Sequence, residues 1–246
     1  LVLPALILAV WEIAGRLNAL PTYLVAPSVI AATAWEMTHS GELWLHTGDT
    51  LRRALVGYFL GAVCGITAGL LAGVVRPIER FYDPIISFTY PVPKIVVLPV
   101  LIGWLGTGDA SKVAVITAAV FYPTFINSLY GAKAVNRLHV WSARNMGASR
   151  LQVFRKVLLP SALPQIFAGL RIALALAFIV VVASEMANSR TGLGHLIIVA
   201  EDNIRFDILY AAVLAIALLG FLGDRLLLLV RRRVFARRGE AEAAYG

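Results

Sequence analysis

The run Ala54-Leu-Val-Gly57-Tyr-Phe-Leu-Gly61-Ala-Val-Cys-Gly65-Ile-Thr-Ala-Gly69-Leu-Leu-Ala-Gly73-Val-Val75 contains 22 residues and no charge. Wound as an α-helix at ~1.5 Å per residue it reaches about 33 Å, enough to cross the ~30 Å hydrocarbon core of a bilayer. Lipid is a better solvent for it than water. Its glycines recur every four residues, at 57, 61, 65, 69 and 73. On a helix that spacing makes a smooth ridge where another backbone can come close. The ordinary reading is tight helix packing, which says that the bundle is compact and nothing about what passes through it.

Five further apolar runs lie around this one: Leu1–Ala14, Pro84–Leu105, Val113–Gly131, Leu163–Ser184 and Ile208–Val230. Together they predict an all-α polytopic membrane protein with six transmembrane helices. Composition agrees, since 59% of the 246 residues are apolar and 15% charged, where a soluble domain averages about 45–50% and about 25%. A single water-facing catalytic domain is excluded, and so is disorder. One cysteine, Cys64, rules out a disulfide framework within the chain. The first run is short, its uncharged part Leu1–Trp11 giving only ~16 Å of helix. Because the chain starts at Leu and shows no basic leader or small-residue cleavage pattern, the expectation is a missing short N-terminal piece rather than a signal peptide.

Charge distribution orients the chain. Arg76 and Arg80, the connection with Lys133, Arg137, Arg144, Arg150, Arg155 and Lys156, and the tail with Arg231, Arg232, Arg233, Arg237 and Arg238 put thirteen basic residues on one side. The other side has six, Arg16, Arg52, Arg53, Lys112, Arg190 and Arg205, together with seven acids. The basic side is expected to be cytoplasmic, with both termini there. This accounts for the net charge of +8 without nucleic acid. Ser28–Ser40 reads as a short helix near the outer interface, with Ser28 as N-cap and Trp35 at headgroup depth.

Much chemistry is missing. The sequence has no phosphate-loop, H-E-x-x-H or G-x-S-x-G pattern and no cluster of metal ligands. His39, His46, His139 and His195 are scattered, as solvated or hydrogen-bonded histidines usually are. In the third run Pro91, Pro93 and Pro99 should break or kink the helix. That makes the segment either a lining of a pathway or a kink used only for packing. Lys94 lies beside the prolines of the third run and Glu185 near the outer end of the fifth, and charges at membrane depth usually pair or face a cavity. Lys94 would attract an anionic solute or serve a structural partner, and Glu185 would belong to a gate or to a structural pair.

The informative connection is Trp141-Ser-Ala-Arg-Asn-Met-Gly147-Ala-Ser-Arg-Leu-Gln-Val-Phe154-Arg-Lys-Val-Leu-Leu-Pro160. Two short helices should meet at Gly147, where Gly147 and Ala148 leave the corner bare. Leu151, Phe154 and Leu158 fall at i, i+3 and i+7, an apolar stripe suited to docking a protein partner or lying on the membrane.

This stretch resembles the EAA signature of permease subunits of binding-protein-dependent ABC importers. Ala143, Gly147, Phe154 and Pro160 stand where that pattern expects them, whereas Trp141 and Ser142 replace its first Glu and Ala. Pro91-Val-Pro-Lys-Ile-Val-Val-Leu-Pro99, Trp104-Leu-Gly-Thr-Gly108, Ala183-Ser-Glu-Met186, Gly192-Leu-Gly194 and Gly220-Phe-Leu-Gly-Asp224-Arg are similar to the nitrate/sulfonate/taurine branch of that family. The resemblance runs from about Pro27 to Arg233.

It implies a type I ABC importer permease fold and one permease domain over residues 1–246. A coupling loop would occupy about 131–162, and a basic cytoplasmic tail 231–246. Ala143, Arg144, Gly147, Ala148, Ser149, Phe154 and Pro160 would form the ATPase-coupling corner, with Pro91, Pro93, Lys94 and Glu185 as candidates for pathway or gate. The chain would not be an enzyme and would hold no cofactor, ATP and Mg being bound by two partner ATPase subunits. An outer solute-binding protein and a second permease copy complete the implied assembly, set among lipid in a bacterial plasma membrane. The implied solutes are small anions such as sulfonates, taurine or nitrate, or else heterocyclic vitamin precursors. The competing class is an ion-gradient-driven secondary transporter, which should show inverted repeats and intramembrane carboxylates.

Overall fold

The computed structural model describes residues 2–17, 19 and 21–236, and every regular element among them is helical. In chain order these are α1 Val2–Arg16, α2 Pro27–Ser40, α3 Glu42–Val74, α4 Arg76–Thr89, a 3-10 turn Lys94–Val97, α5 Leu98–Leu105 and α6 Asp109–Lys133. There follow α7 Arg137–Asn145, α8 Arg150–Val153, a π turn Phe154–Leu158, α9 Leu159–Ala187, α10 Leu193–Asp202 and α11 Phe206–Ala236. Of the basic tail, Arg237 and Arg238 lie outside the described residues.

Among the described residues four helical stretches are long and apolar enough to cross a bilayer: Glu42–Val74, Asp109–Lys133, Arg150–Ala187 and Phe206–Ala236. A fifth crossing exists if the bent pair Arg76–Thr89 and Lys94–Leu105 is taken as one broken span. The first apolar run forms a helix as short as its sequence indicated. Helix α1 has 15 residues, about 22 Å at ~1.5 Å per residue, too little to cross alone.

Two compact units divide the chain, Leu1–Arg53 with Val181–Phe221, and Ala54–Val180 with Leu222–Gly246. In the first, Met37 of α2, Leu193, Leu196 and Ile197 of α10, and Ala211 and Ala212 of α11 form a buried apolar cluster. The start of α2 differs from expectation. Its N-cap is Ala26, with Pro27 in the first turn and no side-chain cap. The pyrrolidine ring is pre-set for that first turn, which moves the boundary two residues upstream of Ser28. The Ser28 N–H is instead satisfied by Glu12 Oε2 at 2.9 Å.

In the second unit the glycine ridge of α3 lies against α6. A Cβ added to Gly57 would come within 2.6 Å of Ile116, one on Gly61 within 2.6 Å of the Thr117 carbonyl, and one on Gly65 within 2.7 Å of the Phe121 carbonyl. Gly69 faces Phe125 and Gly73 faces Ala132 in the same way. All five glycines serve one helix–helix contact in which backbone meets backbone, so the packing reading holds. Near its end the same helix joins a core of Leu70, Ala132, Leu158, Ala162 and Ile166.

Gly65→Ala is expected to destabilise the protein by roughly 1–3 kcal/mol through overpacking. Gly220→Ala, whose Cβ would meet open space, should be neutral or slightly stabilising because alanine is the better helix former. Thermal melting of the detergent-solubilised variants checks both.

Candidate functional site

Three places in the fold carry the sequence-derived residues. At the first, Asn136 opens α7 by accepting a hydrogen bond from the Leu138 N–H at 2.9 Å. Ala143 and Arg144 lie in its last turn. The chain then reverses through Gly147, at φ 82°, a left-handed conformation that costs a residue with a side chain about 1–2 kcal/mol. The Gly147 N–H donates to the Arg144 carbonyl and the Ala148 N–H to the Ala143 carbonyl, at 2.9 and 3.0 Å. A Cβ on Gly147 would touch nothing. Glycine is required here by the backbone, and the corner is bare. Ser149 begins α8 with a reciprocal cap, its hydroxyl accepting from the Gln152 N–H and its own N–H donating to the Gln152 side chain. A hollow of about 420 Å³ results, lined by Ala143, Met146, Gly147, Ala148, Gln152, Lys156 and Val157.

The expected stripe is not one face. Leu151 is exposed, but Phe154 and Leu158 pack inward on the Leu70–Ala132–Ala162–Ile166 core. The cause is the π turn over Phe154–Leu158, whose extra residue per turn shifts the helical phase between Leu151 and Leu158. Pro160 stands two residues past the turn, and its ring would crowd the Lys156 carbonyl in a regular α-helix; the wider turn relieves that clash.

The second place is the break in the third apolar run. Helices α4 and α5 meet at 90° across Tyr90–Pro93 and the short 3-10 turn. Pro91 and Pro93 lie inside the break, and Pro99 sits in the first turn of α5, where a missing N–H is harmless. Lys94 Nζ donates to the carbonyls of Thr89, Tyr90 and Val92 at 2.6, 3.2 and 2.7 Å. It also lies 4.0 Å from the centre of the Tyr122 ring. The Tyr122 hydroxyl donates to Thr89 Oγ1 at 2.8 Å. A cavity of about 290 Å³ opens beside Lys94, with Val97, Leu101 and Ala118 among its walls.

The third place is Glu185, which is 1% exposed. Its Oε1 accepts from Arg53 at 2.7 Å, and its Oε2 from the Thr50 hydroxyl at 2.8 Å and the Gly194 N–H at 3.0 Å. Arg53 also donates to the carbonyl and hydroxyl of Thr191. Thr50 accepts from the Leu193 N–H, and His46 Nδ1 from the Gly192 N–H at 3.0 Å. The carboxylate and the start of α3 thus fasten the turn leading into α10. Burial pushes the His195 imidazole below its usual value; neighbouring His46 acts the same way, and Glu185 opposes them. Arg53 is the cation paired with Glu185.

Sequence reading found Glu185 but missed its partners. His46, Thr50 and Arg53 fall at i, i+4 and i+7, one face of α3, and that spacing was the available signal. His46 is hydrogen-bonded and buried rather than solvated.

Comparison with known proteins shows the family of the chain. Residues 65–236 match the family described as binding-protein-dependent transport system inner membrane component. A Bacillus subtilis (strain 168) protein named as an aliphatic sulfonates transport permease, SsuC, is 33% identical over 243 residues, covering 98% of this chain and 88% of that one. The taurine transport system permease TauC of Escherichia coli (strain K12) is 32% identical over 246 residues, covering 97% of this chain and 89% of that one. Among solved structures, a chain of the MetNI methionine ABC transporter in its inward-facing conformation superposes with a TM-score of 0.60 at 24% identity. It covers 76% of this chain and 96% of that one, a likeness of fold.

Glu185→Gln should take the nearest carboxylate from the buried Arg53 guanidinium, leaving it the more distant Asp49 at 4.0 Å and Thr191, and cost about 3 kcal/mol. Pairing it with Arg53→Met should recover part of that loss, because neither charge then remains. Equilibrium unfolding of both single variants and the double variant measures the coupling.

Proposed function

Because the chain belongs to the inner-membrane component family of binding-protein-dependent transport systems, we propose that its Gly147 corner is where two partner ATPase subunits dock and drive the import of a small sulfonate-like anion. The chain itself is the transmembrane subunit of an ATP-driven importer. The observation that carries the coupling role is the corner: a left-handed glycine with open space around it, set between two capped short helices beside a 420 Å³ hollow. A chain without a phosphate loop takes its work from a partner, and a bare, well-fixed turn is a surface that a partner can grip.

ATP and Mg belong to those ATPase subunits, and an outer solute-binding protein delivers the solute. Two copies of the chain enclose the pathway near the α4–α5 break, since glycine-mediated packing fills the interior around α3 and α6. Kinship with the sulfonate and taurine permeases supports a sulfonate as the solute. The C-terminal end and the α7–α8 corner face the cytoplasm on the positive-inside argument, with α2 and α10 outside. The whole is an alternating-access machine of packed helices with two arrangements.

Gly147→Leu should leave the bundle inserted but abolish ATP-dependent uptake, either by loss of co-purifying ATPase or by hydrolysis that no longer moves solute. Pull-down together with uptake in liposomes distinguishes the two, and normal assembly with normal uptake would refute the coupling role.

Topology is tested separately with Ser149→Cys in a Cys64→Ala background. The introduced thiol should resist an impermeant maleimide in intact cells and react once the membrane is opened; labelling in intact cells would reverse the assignment.

A further inference from the structure

Helix α4 stops at Thr89, and a helix stop leaves carbonyls without partners and a partial negative charge at the end of the helix. Pro91 and Pro93 have no N–H to offer, and hydrocarbon offers none. The Thr89 carbonyl accepts from the Val92 N–H at 3.2 Å, and the carbonyl oxygens of Thr89, Tyr90 and Val92 converge on one point, which Lys94 Nζ occupies at 2.6, 3.2 and 2.7 Å. The Tyr122 ring covers it at 4.0 Å. That ring is held in place by the bond from its hydroxyl to Thr89 Oγ1.

An ammonium group has three N–H donors and no acceptor. Here three carbonyls match the three donors, and an aromatic face, attractive to a cation, lies against the group. No donor is left for an anionic solute. Where other membrane helices are broken, unwound carbonyls gather around a free monovalent cation. The chain supplies that cation covalently.

We propose that the Lys94 ammonium is a tethered cation that closes the broken helix, acting as a positioning residue that does not bind solute. The cradle of three carbonyls and one aromatic face should therefore accept a free alkylammonium ion when the side chain is removed. Only the transport readout below rests on the importer reading.

The test uses the purified full chain in detergent with Cys64→Ala and Val96→Cys, Val96 being exposed just beyond the cradle. Adding Lys94→Ala should raise the alkylation rate of the introduced thiol about tenfold, as expected for loss of several charge-assisted hydrogen bonds. Methylammonium should bring the rate back, whereas tetramethylammonium, which has no N–H to donate, should not. The parent with Lys94 should ignore both. A rate unmoved by Lys94→Ala, or equal effects of the two ions, overturns the proposal, and neither result needs ATP, partner or solute.

In liposomes with the ATPase subunits and binding protein, Lys94→Ala should lower kcat for a sulfonate with KM unchanged, and methylammonium should restore it. A selective rise in KM for the anion would instead make Lys94 a solute ligand and sink the proposal. If Lys94→Ala fails to fold, Lys94→Met fills the cradle with an apolar chain of similar length. It should lose activity that methylammonium cannot repair, and an intact rate in that variant is equally fatal.

Discussion

Hydrocarbon forms no hydrogen bonds, and each polar group left unpaired in it costs several kcal/mol. Regular helix meets that demand automatically. Every departure from regular helix, and every charge inside, must be satisfied by a specific residue. The α4–α5 break illustrates this, with one ammonium answering three carbonyls. Glu185 illustrates it again, with Arg53, Thr50 and a backbone N–H on its two oxygens. Even the glycine ridge follows, because apolar side chains gain little by leaving lipid for each other. Contact between α3 and α6 must come from close backbone approach instead.

The same constraint explains what could be read from the sequence. Apolar runs are long because the bilayer is thick, so the cores of α3, α6, α9 and α11 were visible as length alone. Prolines clustered at 91, 93 and 99 announced the break. The first run, short already in the sequence, forms the 15-residue α1. The polar beginning of α3 was hidden. Twelve residues from Glu42 to Arg53 continue the helix before the uncharged run begins, and a search for apolar stretches passes over them. Arg53 and Glu185 are 132 positions apart, and nothing local marks two distant charges as partners.

Local phase was the other blind spot. The spacing of Leu151, Phe154 and Leu158 describes an α-helix, and one π turn is enough to turn Phe154 and Leu158 away from Leu151. That turn is itself written in the sequence as Pro160, but only through the steric clash of its ring one turn back.

The displaced stripe changes how the corner works. On the proposed coupling role, with Phe154 and Leu158 committed to the Leu70–Ala132–Ala162–Ile166 core, the apolar groups left for a partner are Leu138, Trp141, Met146 and Leu151, all exposed. Trp141 stands where the family pattern has a glutamate. An exposed ion pair contributes only about 0–1 kcal/mol, whereas a tryptophan buried in an interface is among the strongest single anchors. On the proposed reading the grip here is apolar, set among Arg144, Arg150, Arg155 and Lys156, and so fits a partner face that is apolar at its centre and acidic at its edge. The capping box of Ser149 and Gln152 stiffens the turn, and Phe154 and Leu158 bolt it to the packed ends of α3, α6 and α9. A displacement at Gly147 then cannot be absorbed locally, because cores packed to crystal density transmit strain rather than dissipate it. On the proposed coupling role, a pull on the corner would become movement of the helices to which it is fastened.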